Sequence, residues 1–409
     1  MNPFRLTVTL KQHTPLLHFQ HNQAGAILRA SEVKPKLDKF IRERRESDFP
    51  VKWRIGKEKG EHKNALDYSL WVSASETPQV LVIKTFFNRT DQNVILYSQR
   101  RVGSYFGDAK GLEWRDGLTI TFSSFETDVL DQIYQHVVPF FILHNFGQRQ
   151  SKGFGSFTVS AINEKCLDGY GGKSFAKSDF ESILQQSFAT VYRPNDQTYR
   201  PLELIHKEYQ LLKSGRNNPW NSNEYRKSAL FLYFVNQNPP IRWEKRKIKQ
   251  EINGVTNKQE KPFAAALKQT SKLPIDLSKR TCEIYNSYTD EQPNEYRYIR
   301  ALLGLAEANE YQTEGGDSTY LVRIKHEPIN GSDEDQIERL ASPILFKVFE
   351  NSAYLIAGEV NENIFRKSFQ FSLSTQSINA RNLTTLKTPD SFDLPGFLKE
   401  SLTTWTKLP

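Results

Sequence analysis

Two periodicities alternate along the first part of the chain, and their order restricts the available folds more than any other feature. Over residues 4–12 the apolar Leu6, Val8 and Leu10 alternate with Arg5, Thr7, Thr9 and Lys11, the period of two expected of a strand with one buried face. Residues 31–45 change to a helical period. Ser31 is a candidate cap, Pro35 falls early, Val33, Leu37, Phe40 and Ile41 form one stripe, and the opposite face is dense in Lys and Arg. Residues 79–87, 94–101 and 118–123 return to β-branched and aromatic residues between polar or glycine-containing turns. Residues 126–145 repeat Val129, Leu130, Ile133, Tyr134, Val137, Val138 and Phe141 at helical spacing, with Pro139 expected to kink the helix. Phe157, Val159 and Ile162 then suggest a closing strand. The order strand, helix, strands, helix, strand matches a ferredoxin-like βαββαβ unit, an antiparallel sheet with helices on one side, here with inserted strands.

A chain of 409 residues exceeds what one core usually serves, so two domains are expected in an α+β protein. The first spans residues 1–167. Residues 168–200, with a Gly-Tyr-Gly-Gly run and a polar stretch around Pro194, read as a linker carrying one short helix. The second domain spans 201–409, with helical patterns at 201–213, 222–235 and 295–308 and strands at 320–326, 344–349, 353–360 and 369–373. It carries a basic insertion near 241–272, whose stretch from 245 onward has few apolar residues and is expected to be mobile.

Several function classes lose support. No segment approaches the roughly 18 apolar residues of a membrane span, and the amphiphilic start does not read as a signal peptide, so a cytoplasmic location is expected. Cys166 and Cys282 are isolated, and none of the eight histidines falls in a paired metal-ligand spacing. No metal or cofactor is therefore implied. The positive charge is localised: residues 1–160 carry 22 Lys and Arg against 16 Asp and Glu, residues 200–280 carry 17 against 7, and residues 281–409 reverse to 12 against 19. Clustered cations favour a polyanion through counterion release, and they equally suit a solvated surface. The acidic final third suits solvent or a basic protein neighbour.

Three groups of residues are candidates for chemistry. The segment 147–156, Gly-Gln-Arg-Gln-Ser-Lys-Gly-Phe-Gly-Ser, combines glycines that permit close backbone approach with the phosphate donors Arg149 and Lys152. It is neither a P-loop nor a dinucleotide fingerprint, since it lacks the required spacing and sits between a helix and a following strand. A plain glycine-rich turn would look the same. The run Arg242-Trp243-Glu244-Lys245-Arg246-Lys247-Ile248-Lys249 sets an aromatic beside five cations, suited to base stacking with phosphate neutralisation and also to simple solvation. His13, His18 and His21 are the only route seen to metal-free RNA cleavage, as general base or acid. They also read as polar loop residues.

The Gly-x-Arg-x-Ser-Lys-Gly-Phe-Gly-Ser string, following the second helix of such a unit, resembles the glycine-rich loop of the RAMP superfamily of CRISPR-Cas proteins. Thr14-Pro15-Leu16 followed by Leu28-Arg29-Ala30-Ser31-Glu32-Val33-Lys34, and Leu303-Gly304-Leu305 followed by Arg339-Leu340-Ala341-Ser342-Pro343, resemble the terminal, two-RAMP-domain subunit class of the type III-B Cmr effector. The early Pro35 and the insertion depart from that pattern. The resemblance implies two tandem ferredoxin-like domains and a non-catalytic subunit that binds crRNA or target RNA beside other effector subunits in antiviral defence. It implies an RNA face made by Arg29, Lys34, Lys36, Arg149, Lys152, Gly153, Phe154 and Gly155 in the first domain and Arg339 in the second. Arg242, Trp243, Lys245, Arg246 and Lys247 are the further contacts expected from composition. A crRNA-processing endoribonuclease of the same superfamily, or a scaffold touching only protein neighbours, are the rival expectations.

Overall fold

The computed structural model describes residues 4–17, 27–45, 48–55, 57–58, 61–62, 65–82, 110–114, 117–163, 165–166, 176–188, 190–195, 200–218, 221–256, 295–312, 319–327, 337, 340–375 and 378–409. It is a mixed α/β structure with several antiparallel sheets. Two compact units emerge, and neither is one continuous stretch of chain. The first comprises Met1–His206, Leu345–Ile356 and Thr404–Pro409, the second Lys207–Ile344 and Ala357–Thr403.

In the first unit the alternating strand Arg5–Gln12 lies at the centre of a five-stranded sheet. The order is Lys165–Cys166, Phe157–Ile162, Arg5–Gln12, Leu118–Ser123, Ser69–Ser73, with antiparallel pairing throughout. Helices α1 (Ala30–Glu43) and α2 (Thr127–Leu143) cover one face. Val33, Leu37 and Ile41 of α1 and Val129, Ile133, Val137 and Phe141 of α2 share one buried cluster with Leu6, Val8, Leu10, Ile120, Phe122 and Val159. Removing that apolar area from water is the main force holding helices to sheet, at about 25 cal/mol per Å². Because side chains alternate along a strand, Arg5, Thr7, Thr9 and Lys11 project from the other face. The expected strand 79–87 is described only as Gln79–Val82, paired with Lys110–Glu113. The expected strand at 94–101 lies outside the described residues.

The segment expected to be a linker is instead part of this unit. It holds helix α3 (Lys177–Ser187) and the strand Thr190–Pro194. That strand sits inside a four-stranded sheet ordered Ile344–Phe349, Ser352–Ala357, Thr190–Pro194, Trp405–Lys407. Phe180 of α3 stacks on Phe349 at 4.6 Å between ring centroids, and Phe349, Tyr354, Ile356 and Leu408 join the first unit's core. The boundary drawn at 167–201 therefore does not separate the two units. Sequence neighbours usually pack together, and here strands from the far end of the chain override that default.

The second unit is built on a sheet ordered Ala308–Gln312, Thr319–Glu327, Ser368–Thr375, Ile378–Lys387, consecutive in sequence and antiparallel. This consecutive order differs from the interleaved order of a βαββαβ unit. Tyr298 packs edge-on against Phe369 and Phe371, and Tyr233, Phe234, Phe392 and Phe397 form a second aromatic cluster. Two expected helices change. Residues 222–235 divide into the strand Asn221–Arg226 and the helix Ala229–Val235, which starts where Ser228 Oγ accepts the Phe231 N–H at 3.2 Å. Residues 295–308 form the short strand Tyr296–Arg297, a 3-10 turn Ile299–Leu303 and the beginning of the strand at Ala308. Gly304, at φ +107°, ends the turn in a conformation that suits glycine.

Candidate nucleic-acid interface

The glycine segment leaves α2 at Leu143 and turns back into the strand Phe157–Ile162. Its backbone N–H groups are largely spent on the protein itself. Gly147 N donates to the Glu32 carboxylate at 3.0 Å, Gln148 N to Leu17 O at 2.9 Å, Gly155 N to Pro15 O at 3.0 Å and Ser156 N to Thr14 Oγ1 at 2.9 Å. The glycines answer to the same neighbours. Gly155 has φ +64°, and a Cβ there would stand 1.9 Å from Phe146 O; Gly153 has φ +80°, and a Cβ would meet Ile205 Cδ1 at 2.8 Å. Phe154 is fully buried. Gly153, Phe154 and Gly155 are thus needed by the turn's own packing, and the expected close approach of their backbone to a ligand is not what the geometry provides.

Two cations remain at the rim. Arg149 is half-buried and holds the left-handed conformation at φ +55°, uncommon and costly for a residue with a Cβ. Lys152 lies close enough to feel it: burial first, and the Arg149 charge second, push the Lys152 ammonium down to about 8. Two like charges held this close make a local positive site.

The α1 cations divide. Lys36 Nζ donates to Glu32 Oε1 at 2.9 Å, Gln150 Oε1 at 2.9 Å and Asn145 O at 3.2 Å, so it fastens the turn to the helix. Lys34 donates to Leu66 O at 2.6 Å, pairs with Asp38 at 3.6 Å and lies 3.4 Å from the Tyr68 ring centroid. Burial lowers its pKa. Both side chains are drawn toward the protein, which revises their expected place on an RNA face. Arg29 stands at the N-terminus of α1, one turn before Glu32, and is half-buried. Glu32 emerges as a site residue only from the fold, although its i,i+4 spacing to Lys36 is a signal the sequence carries.

In the second unit the basic run is described as far as residue 256. Arg242–Trp243 pairs in parallel with Tyr296–Arg297, and a helix Glu244–Thr256 follows. Trp243 is 9% exposed and packs on Phe231 at 5.0 Å, so its ring is core rather than a stacking surface. Glu244 is buried against Arg300, which also bonds Tyr311 Oη. Lys245 lies 5.0 Å from the Trp243 ring, its pKa pushed down to about 8 by burial and then by Arg300. Lys247 pairs with Glu251 at 2.7 Å, Arg242 is buried, and Arg246 is half-buried. The expected mobile stretch beyond residue 256, and Arg339, lie outside the described residues.

Comparison with protein families decides the kinship. The family model for the Cmr1 N-terminal domain matches residues 3–216, and that for the Cmr1 C-terminal domain matches residues 225–405. The chain belongs to the Cmr1 family. Cmr1 places it among the type III-B Cmr effector subunits of CRISPR-Cas systems, as the resemblance of the strings at residues 14–16 and 28–34, and at 303–305 and 339–343, implied. No curated protein matches it. Among solved structures, a chain in a type III-B Cmr-beta complex bound to cognate target RNA is similar at 14% identity and a TM-score of 0.28, over 39% of this chain. The chain spans 60% of that relative's length.

Within this Cmr1-family chain, His13 is tied into the fold. Its Nδ1 accepts the Glu350 N–H at 3.1 Å, which leaves Nε2 to donate to Thr158 Oγ1 at 2.8 Å. Burial, then Lys347 and Lys11, lower its pKa to about 3. It is therefore a neutral structural imidazole at neutral pH. His18 and His21 lie outside the described residues. Among the described residues no group of His, Cys, Asp and Glu is placed to hold a metal ion, and no helix is long and apolar enough to cross a membrane.

Proposed function

We propose that the chain is a non-catalytic RNA-binding subunit of a type III-B Cmr effector, holding crRNA or target RNA beside other subunits of the complex. The single observation that carries the reading is the Arg149 and Lys152 pair. The turn holds one cation in a strained backbone conformation and the other partly desolvated beside it. Backbone strain of this kind collects at ligand sites, and a phosphate beside the two cations would offset their mutual repulsion. Arg29 is the third contact proposed. Support for a ferredoxin-like first unit comes from its strand order: with Lys165–Cys166 set aside, the fourth, first, third and second principal strands lie side by side, with helices on one face. The neutral, doubly bonded His13 gives no support to an endoribonuclease.

The test is RNA affinity of Arg149→Ala with Lys152→Ala across a salt series. Affinity should fall, and the dependence of log K on log salt should become shallower by about one unit for each phosphate that is no longer neutralised. Binding equal to that of the parent chain at every salt concentration would overturn the assignment of these two residues.

A further inference from the structure

The five strands of the first unit's sheet carry no carboxylate, and their charged residues are Arg5, Lys11 and Lys165. The helix-free face is rich in hydroxyls. Register sets Thr7 beside Thr121 and Thr121 beside Trp71, with Thr9 beside Thr119 and Thr119 beside Ser73. Trp71 stands on the edge strand of this face, 42% exposed. Arg5, itself exposed, lies 5.5 Å from the Trp71 ring centroid, and among the described residues it makes no ion pair. At the far end Lys11 pairs with Glu350 at 3.0 Å. From Arg5 to Lys11 the face runs ~20 Å along the strand.

We infer that the exposed Arg5 and Trp71 end of this face is a second RNA contact, a platform on which an unpaired base stacks on Trp71 while Arg5 neutralises the adjoining phosphate. It deepens the RNA-binding reading and rests on it. A single exposed ring is ordinary on a protein surface; the cation seated over this one and the hydroxyls beside it select the ligand. A protein partner with a charged rim would call for carboxylates as well as cations. Flanking hydroxyls, a cation over an indole and strands without acidic residues suit single-stranded nucleic acid, whose bases stack on any flat ring and whose phosphates need only positive charge. Duplex RNA keeps its bases stacked internally and offers Trp71 nothing to stack on.

The experiment uses the full chain, a fluorescent single-stranded oligouridylate and a duplex RNA of equal length. Trp71→Ala should weaken single-strand binding about tenfold or more and leave duplex binding and the salt slope as in the parent, because every cation is retained. Trp71→Phe should restore most of the affinity. In a Trp220→Phe background RNA should also quench tryptophan emission, and much less once Trp71→Phe is added, since the remaining Trp53, Trp114, Trp243 and Trp405 are buried. Thermal unfolding reports whether the edge strand survives each change. Parent-like oligouridylate binding by Trp71→Ala, with the Arg149 and Lys152 double variant impaired, would overturn the platform alone. Failure of the parent chain to bind either RNA would overturn both readings. Loss of assembly with other effector subunits at unchanged RNA affinity would assign the face to a protein neighbour and overturn the proposal.

Discussion

Arg149 occupies a backbone conformation that costs an L-residue roughly 1–2 kcal/mol, and glycine adopts it without that cost. Arg149→Gly should therefore hold or raise stability, by up to about 1 kcal/mol after the entropy of the unfolded glycine is set against the relief, while lowering RNA affinity. Chemical denaturation and RNA titration of the same variant check the two effects. Gly155→Ala should do the opposite, since its Cβ would stand 1.9 Å from Phe146 O; a loss of more than about 1 kcal/mol is expected, with affinity following the folded fraction. Lys152 adds a pH dependence. Its folded pKa is depressed to about 8, so the cost of carrying the charge is fully present below pH 8 and is relieved as pH rises toward the unfolded value. A phosphate ligand needs the charged form. RNA affinity should fall between pH 7 and pH 9, and Lys152→Met should flatten that dependence.

At the scale of elements, the C-terminal end of α2 depends on a residue two hundred positions away. Lys347 is fully buried, and its Nζ donates to Phe141 O at 2.8 Å, His144 O at 2.7 Å and Asn145 Oδ1 at 3.1 Å. A cation at the carbonyl end of a helix is favourable, and these acceptors have lost water. Burial pushes its pKa well down, yet the carbonyls around it have few other donors. Lys347→Met fills similar space and removes the donor. The net cost should be about 1–3 kcal/mol, the desolvation of the charge offsetting part of the missing bonding, measured by urea denaturation. Glu32 does the corresponding work at the other end of the turn, joining Gly147 N and Gln150 Nε2 to α1.

For the whole molecule, the first unit cannot be cut out as one piece of sequence. A fragment ending at residue 206 lacks all three partners of Thr190–Pro194 in its sheet, Ile344–Phe349, Ser352–Ala357 and Trp405–Lys407, and with them the core residues Phe349, Tyr354, Ile356 and Leu408. It should expose Phe180 and Leu184 and fail to fold cooperatively. Adding residues 343–358 and 404–409 through flexible linkers should restore a sigmoidal thermal transition by circular dichroism. A fully cooperative transition in the bare fragment would show that these strands are dispensable.

The elements legible in the sequence are those whose own pattern carries the signal. The period of two at Arg5–Gln12, the helical stripes of α1 and α2 and the strand Leu118–Ser123 depend on which side chains face a core, and that is written locally. The glycine segment is equally visible as a place needing unusual backbone. What it serves is not visible there, because Phe146 O, Pro15 O and Glu32 reach it only through folding. The same holds for Trp243, one aromatic in a basic run until Phe231 buries it, and for Trp71, whose exposure beside Arg5 exists only once five strands share a face. Strand pairing is the extreme case: nothing in Thr190–Pro194 names Ser352–Ala357 or Trp405–Lys407 as its neighbours, since backbone hydrogen bonds carry no sequence label and partner choice follows from burying distant apolar side chains together.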